Sequence, residues 1–153
     1  MTNETLYLGA NPLNASATAV EGDYVTRDGE SFYRIANVDG MNDFFISVVS
    51  DSNHWMFIST RGGLSAGRTD CDSALFPYYT EDKIRDNSDN TGSRTIVIAD
   101  QGGKRMLWEP FSRSHTGIYR ITRNLYKNVL GDKLIFEETN HDLRLQFSYS
   151  WST

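Results

Sequence analysis

The chain has 153 residues and a net charge of -5, with hydrophobic residues at 39% and charged residues at 23%. This length is in the range of a single domain that buries its own core, and the composition argues against a disordered chain or a membrane protein. Acidic and basic residues are interspersed along the chain, so the sequence forms no basic stripe for nucleic acid.

Eight Tyr, eight Phe and three Trp bring the aromatic residues to 12%. Aromatic side chains favour pleated, half-buried surfaces, so this content favours β-structure. The first residues lack a basic segment followed by an apolar one, and no apolar run approaches bilayer length. The single cysteine, Cys71, suits a reducing compartment. Together these features predict either a cytoplasmic protein or one whose sequence is given without its export signal, and no membrane partner.

Residues 1–30 are polar and contain Asn11-Pro12 and Asp28-Gly29. Such pairs favour turns, so this segment is predicted to be an irregular lead-in, and residues 31–153 a β-sandwich domain. Short runs rich in aromatic and β-branched residues predict the strands. These are Phe32–Val38, Phe44–Ser50, His54–Thr60, Arg94–Asp100, Lys104–Trp108, Ile118–Leu130, Lys133–Thr139 and Asp142–Trp151.

The connections between these runs predict antiparallel pairing. The first three runs are expected to form a meander, and Gly102-Gly103 is expected to form a hairpin turn. Gly131-Asp132 and Asn140-His141 are short enough for two more hairpins. The run Arg94–Asp100 is apolar at neighbouring positions, which predicts a strand buried on both faces.

The last strand has the clearest alternation. One face is predicted to be apolar and the other polar; the apolar positions are Leu143, Leu145, Phe147, Tyr149 and Trp151. No turn signal follows Trp151, so the chain is expected to be a fragment of a longer protein. The predicted fold is an all-β, antiparallel, supersandwich-like β-sandwich, truncated at its C-terminal end.

The segment from Leu64 to Gly92 is polar and without periodicity, which predicts a long loop. The part from Arg61 to Tyr79 combines side chains suited to binding sugars: planar hydrogen-bonding groups for hydroxyls and aromatic faces for the ring. The candidate ligand-binding residues are Arg61, Arg68, Asp70, Asp72 and Tyr78. The arginines would equally hold a phosphate. The alternative is a loop that packs across a sheet end through Leu75, Phe76 and Tyr78.

The sequence offers little support for metal binding or catalysis. The three histidines are scattered, and none has metal-ligand spacing with another or with Cys71. No metal, cofactor or catalytic residue is therefore predicted. Glu137 and Glu138 are neighbours on a predicted strand, so they are expected to point to opposite faces and cannot both line one cleft.

Two segments carry a family resemblance. They are residues 54–68, with the sequence HWMFISTRGGLSAGR, and residues 94–111, with the sequence RTIVIADQGGKRMLWEPF. Their order, together with the strands between residues 119 and 151, resembles the N-terminal β-sandwich of cellobiose phosphorylase-type enzymes. The resemblance covers roughly residues 40–151, and the loop at residues 69–90 departs from it.

The resemblance implies a non-catalytic sandwich joined to a helical barrel that carries the catalytic acid and phosphorolyses β-glucosides. The implied partners are carbohydrate, inorganic phosphate, the remaining domains of a parent chain and a second subunit in a homodimer. Arg61, Arg68 and Asp70 would then support the active site. Two alternatives remain: a stand-alone carbohydrate-binding module that uses Trp55, Tyr78 and Tyr79, and a structural domain that docks on another domain.

Overall fold

The computed structural model describes residues 19–42, 44–48, 50–60, 63–75, 94–112 and 118–153. Within these ranges the chain forms ten strands and two short 3-10 turns, at Val38–Gly40 and Cys71–Ser73. The strands are β1 Glu21–Arg27, β2 Glu30–Ala36, β3 Phe45–Ser47, β4 His54–Ser59, β5 Leu64–Arg68, β6 Val97–Gln101, β7 Lys104–Trp108, β8 Ile121–Asn128, β9 Lys133–Asn140 and β10 Leu145–Ser152. None of the helices in the described ranges is long and apolar enough to cross a membrane.

The described strands form three antiparallel sheets. A five-stranded sheet has the order β1-β2-β8-β9-β10, a three-stranded sheet has the order β3-β4-β5, and β6 and β7 form a hairpin. Buried residues of the first two sheets share one apolar cluster, which includes Ile58, Leu64, Leu125 and Phe136. A second cluster, centred on Trp108, Tyr119 and Leu143, lies beneath the β6–β7 hairpin. The predicted all-β, sandwich-like architecture is confirmed.

Three hairpin predictions are also confirmed. Gly102 and Gly103 join β6 to β7 with φ values of 60° and 81°, because a tight two-residue turn requires positive φ at both positions. Residues 129–132 join β8 to β9, and residues 141–144 join β9 to β10. In the last of these turns, the Asn140 side-chain oxygen accepts hydrogen bonds from the backbone N–H groups of Asp142 and Leu143.

The alternation of the last strand is confirmed from Phe147 to Trp151, whereas Leu145, which was expected on the apolar face, is 38% exposed. Phe147, Tyr149 and Trp151 pack against the main apolar cluster. Gln146, Ser148, Ser150 and Ser152 are exposed on the opposite face. The strand begins later than predicted, since Leu143 lies in the preceding turn.

Two strands occur where none was predicted. β1 lies inside the predicted irregular lead-in and pairs with β2 along its whole length, so that part of the prediction is wrong. Its sequence, EGDYVTR, is too polar to predict a strand. β5 lies inside the predicted long loop. Its small residues carry no β-signal, and pairing with β4 defines it. Residues 1–18 and 76–93 lie outside the described part.

Two further expectations are wrong. The first three predicted strands do not form one meander, because β2 belongs to the five-stranded sheet while β3 and β4 belong to the other. Asn37 separates them with φ of 56° and turns the chain into the 3-10 turn. The strand at Arg94–Asp100 is not buried on both faces, since Ile96 and Ile98 are 56% and 64% exposed.

A buried ion pair within the five-stranded sheet also holds the β6–β7 hairpin through the carboxylate of Glu138. Glu138 on β9 and Arg123 on β8 are 1% and 7% exposed, and a Glu138 carboxylate oxygen lies 2.6 Å from Arg123 Nε. The other carboxylate oxygen accepts hydrogen bonds from Trp108 Nε1 at 2.8 Å and from the Phe111 backbone N–H at 3.1 Å. Every oxygen of this buried charge therefore has a donor, which burial requires.

We expect Glu138→Ala to lower the free energy of unfolding by about 3–5 kcal/mol, because it leaves the Arg123 guanidinium buried without a counter-charge. Urea denaturation measures this loss. Arg123→Met combined with Glu138→Leu should lose less than Glu138→Ala alone, since no unpaired charge remains. The control is Asp39→Ala, at an exposed carboxylate. A loss for Glu138→Ala no larger than that of the control would contradict this account.

Candidate functional site

The predicted binding segment is described only in part. Arg61 and Tyr78 lie outside the described residues, as does Tyr79. Arg68 is the last residue of β5, and Asp72 lies in the 3-10 turn that follows; both are exposed. Arg68, Asp70 and Asp72 are close in sequence and lie at the same end of β5. The structure therefore places these three predicted residues near one another.

Asp70 has a structural task in this segment. Its carboxylate caps the 3-10 turn by accepting hydrogen bonds from the backbone N–H groups of Asp72 at 3.1 Å and Ser73 at 3.2 Å. Trp55 Nε1 donates to the Asp70 carbonyl oxygen at 3.3 Å. The Trp55 ring lies against Gly67, where a Cβ would come within 2.4 Å of it. The turn is therefore built from contacts within the segment and with Trp55 on β4, and its role in ligand binding stays a prediction.

The two neighbouring glutamates point to opposite faces, as predicted. Glu138 is in the buried ion pair. Glu137 lies on the other face of the sheet, where its carboxylate accepts hydrogen bonds from Arg27 at 3.0 Å and from the Tyr126 hydroxyl at 3.2 Å. The Arg27 guanidinium also lies 4.8 Å from the centre of the Tyr126 ring. Both carboxylates are thus held by cations.

A cleft of about 290 Å³ opens on the face of the five-stranded sheet that carries the core, near its β1 edge. The floor consists of Ile35, Leu125 and Ile46, the last from β3. The remaining wall residues are Tyr24, Tyr33, Lys127, Asn128 and Val129. Of the predicted site residues that the structure describes, Arg68, Asp70 and Asp72, none lines this cleft.

Two tyrosines form the aromatic wall. Tyr24 and Tyr33 are directly opposite each other on β1 and β2 and are 76% and 42% exposed. Their ring centres are 5.2 Å apart at an angle of 67°. Gly22 makes this arrangement possible, because a Cβ there would lie 2.1 Å from the Tyr33 hydroxyl oxygen. Because Gly22 has no side chain, the end of the Tyr33 ring can occupy this space on the edge strand.

The polar side of the cleft is fixed by hydrogen bonds. Lys127 Nζ donates to the Ser47 carbonyl oxygen at 2.8 Å, which ties β8 to β3. The Asn128 amide donates to Glu30 at 2.8 Å and to Asp132 at 2.5 Å. Lys133 Nζ lies 2.7 Å from the other Glu30 oxygen. Hydrogen bonds from Lys133 and then Asn128 lower the pKa of Glu30, and the Glu30 carboxylate raises the pKa of Lys133.

Sequence reasoning missed the cleft, although one signal for it was present. Asp28-Gly29 is a strong hairpin signal, and Tyr24 and Tyr33 are equally far from that turn on either side. Pairing across it places the two rings side by side. The remaining walls come from β3 and β8, and no local pattern predicts that these strands meet here.

The chain matches no protein-family model and no curated protein. In the described residues, no group of three or more His, Cys, Asp or Glu side chains could hold a metal ion. The resemblance to cellobiose phosphorylase-type enzymes therefore stays a prediction, and the geometry of the cleft carries the functional argument.

The ion pair beside the cleft predicts an acid-sensitive stability. Because the folded-state pKa of Glu30 is below its ordinary value of 4.5, its contribution is present above that value and is lost as the pH falls through the folded pKa. The melting temperature of Glu30→Gln should therefore fall less than that of the wild type between about pH 5 and about pH 3. Asp51→Asn, at an exposed carboxylate, is the control. Equal falls for the wild type and Glu30→Gln would refute the assignment.

Proposed function

We propose that this chain is a non-catalytic, carbohydrate-binding β-sandwich domain of a carbohydrate-active enzyme, and that the cleft at Tyr24 and Tyr33 is its sugar site. The observation that carries this proposal is the pair of exposed tyrosine rings beside an apolar floor and a polar wall.

The chemistry of the cleft suits a pyranose ring. One side of a sugar ring carries C–H groups that pack on aromatic faces, and its hydroxyls need hydrogen-bonding partners at the edge. Tyr24 and Tyr33 offer both a ring and a hydroxyl, and Lys127 adds an ammonium donor. The volume of about 290 Å³ is at the lower end for ligand sites, so we expect it to hold one or two sugar units.

A non-catalytic role agrees with how the carboxylates are used. Glycoside cleavage needs two carboxyl groups facing one bond. Glu138 is buried in an ion pair, Glu137 is bound to Arg27 on the opposite face, and Asp70 caps a turn. These three acids have structural tasks, and none of them lines the cleft.

The enzymatic context of the proposal comes from the family resemblance. In cellobiose phosphorylase-type enzymes the sandwich accompanies a barrel that phosphorolyses β-glucosides. By that resemblance the parent protein would use carbohydrate and inorganic phosphate. Arg61, Arg68, Asp70, Asp72 and Tyr78 would form a second contact surface, towards the remaining domains.

Isothermal titration calorimetry with β-linked gluco-oligosaccharides tests the sugar site. Tyr24→Ala and Tyr33→Ala should each weaken binding about tenfold, or about 1.4 kcal/mol, because each removes a stacking surface. Leu130→Ala is the matched control: Leu130 is as exposed as Tyr24, at 76%, and it does not line the cleft. The sugar site is wrong if the wild type binds none of these oligosaccharides, or if all three variants bind equally well.

Gly22→Ala tests the geometry without removing either ring. The added methyl group occupies the place of the Tyr33 hydroxyl, so the ring must turn away and sugar affinity should fall. The melting temperature should change little, because Gly22 is exposed on an edge strand. Unchanged affinity in a folded Gly22→Ala protein would show that the position of Tyr33 is irrelevant to binding.

The enzymatic context has its own test. A longer protein that contains this chain should release sugar phosphate from a β-linked glucose disaccharide in the presence of inorganic phosphate. Failure with every β-linked glucose disaccharide would remove the phosphorylase context and leave the sugar site to the binding experiments.

A further inference from the structure

The two edges of the five-stranded sheet differ in charge. β1, at one edge, carries Glu21, Asp23 and Arg27 among its seven residues. β10, at the other edge, has eight residues with the sequence LQFSYSWS and no charged side chain. An edge strand presents unpaired N–H and C=O groups that pair readily with another strand, and proteins usually prevent this with charges, bulges, short strands or covering segments.

The other edges in the described part of the chain have such protection. β3 has only three residues. The outer side of β5 is covered, because the Leu75 N–H donates to the Ala66 carbonyl oxygen and Gly67 pairs with Ala74. The β6–β7 hairpin carries Asp100, Lys104 and Arg105. Among the described strands, β10 is therefore the long edge that lacks a protective device.

β10 is also regular. It pairs with β9 at all eight positions, from Leu145 opposite Asn140 to Ser152 opposite Lys133, without a bulge. Within the described residues, β9 is its only neighbour in the sheet. In an antiparallel strand, alternate residues direct their N–H and C=O groups away from the existing neighbour. β10 thus presents an unbroken row of backbone N–H and C=O groups to an additional strand.

We propose that β10 pairs antiparallel with β10 of a second copy of this chain, which joins two five-stranded sheets into one continuous sheet. This inference is independent of the proposed sugar site. A two-fold axis perpendicular to the sheet makes the contact self-complementary and closed. It also places the apolar faces of both copies on the same side of the joined sheet.

The side-chain pattern defines a register. With Tyr149 opposite its own copy, Phe147 lies opposite Trp151 and Ser148 lies opposite Ser150. Aromatic pairs therefore form on the core side and serine pairs on the exposed side. Cross-strand aromatic pairs and serine hydrogen bonds stabilise sheets, whereas like charges directly opposite each other destabilise them.

The lack of charge favours a second copy over a charged partner strand. β10 has no ionic group to pair with the charges of such a strand, so a charged partner gains no cross-strand attraction here. Self-pairing needs none. It also covers apolar surface, because Phe147, Tyr149 and Trp151 are only partly buried in the single chain.

Analytical ultracentrifugation of the wild-type chain tests the proposal between about 1 µM and about 1 mM, which covers the affinities of small interfaces. We expect a concentration-dependent dimer. Ser148→Lys combined with Ser150→Lys should weaken dimerisation at least tenfold, because the register sets these lysines opposite each other. Both serines are exposed, so the variant should keep the far-UV circular dichroism spectrum and the melting temperature of the wild type.

The control adds the same charge elsewhere. Ser31→Lys combined with Ser73→Lys places two lysines at exposed positions outside β10, and this variant should dimerise like the wild type. A wild type that stays monomeric across the concentration range overturns the proposal. It is also overturned if the folded β10 variant dimerises like the wild type, or if the control variant loses the dimer to the same extent.

Discussion

The buried carboxylate of Glu138 is the interaction on which the arrangement of the layers depends. It holds Arg123 on the neighbouring strand, the indole N–H of Trp108 on β7 and the backbone N–H of Phe111 just after β7. Phe111 has φ of 65°, a backbone conformation that non-glycine residues adopt only when the surroundings favour it. The Glu138 carboxylate therefore fixes the position of the β6–β7 hairpin and the direction of the chain after β7. An apolar side chain at position 138 could fill the space but could not direct these donors.

The predictable parts of the fold are those in which local pattern and tertiary environment agree. β10 alternates because one face meets the core and the other meets solvent, and the short glycine-containing turns fix the hairpins around it. β1 and β5 could not be predicted, for opposite reasons. β1 is polar because it is an edge strand with little to bury. β5 is almost entirely buried, but three of its five residues, Ser65, Ala66 and Gly67, are small and lack β-propensity.

The candidate site was less predictable than the fold. The predicted segment has a conspicuous composition, but the described part of it shows that Asp70 stabilises a turn. The cleft instead depends on the pairing of Tyr24 with Tyr33, on the missing side chain of Gly22 and on the approach of β3 to β8. Only the tyrosine pair follows from local sequence. The approach of β3 to β8 joins residues far apart in sequence, and such contacts produce no periodic pattern in the sequence.

The distance along the chain between the partners of Glu138 also bears on how the molecule folds. β8, β9 and β10 are joined by short turns, so they can pair through local contacts, which form quickly. Trp108 reaches Glu138 across 30 positions of sequence, so this contact closes a longer loop than either turn and costs more chain entropy. We therefore expect the β6–β7 hairpin to dock after β8 and β9 have paired, and substitutions at Trp108 to accelerate unfolding more than they slow folding.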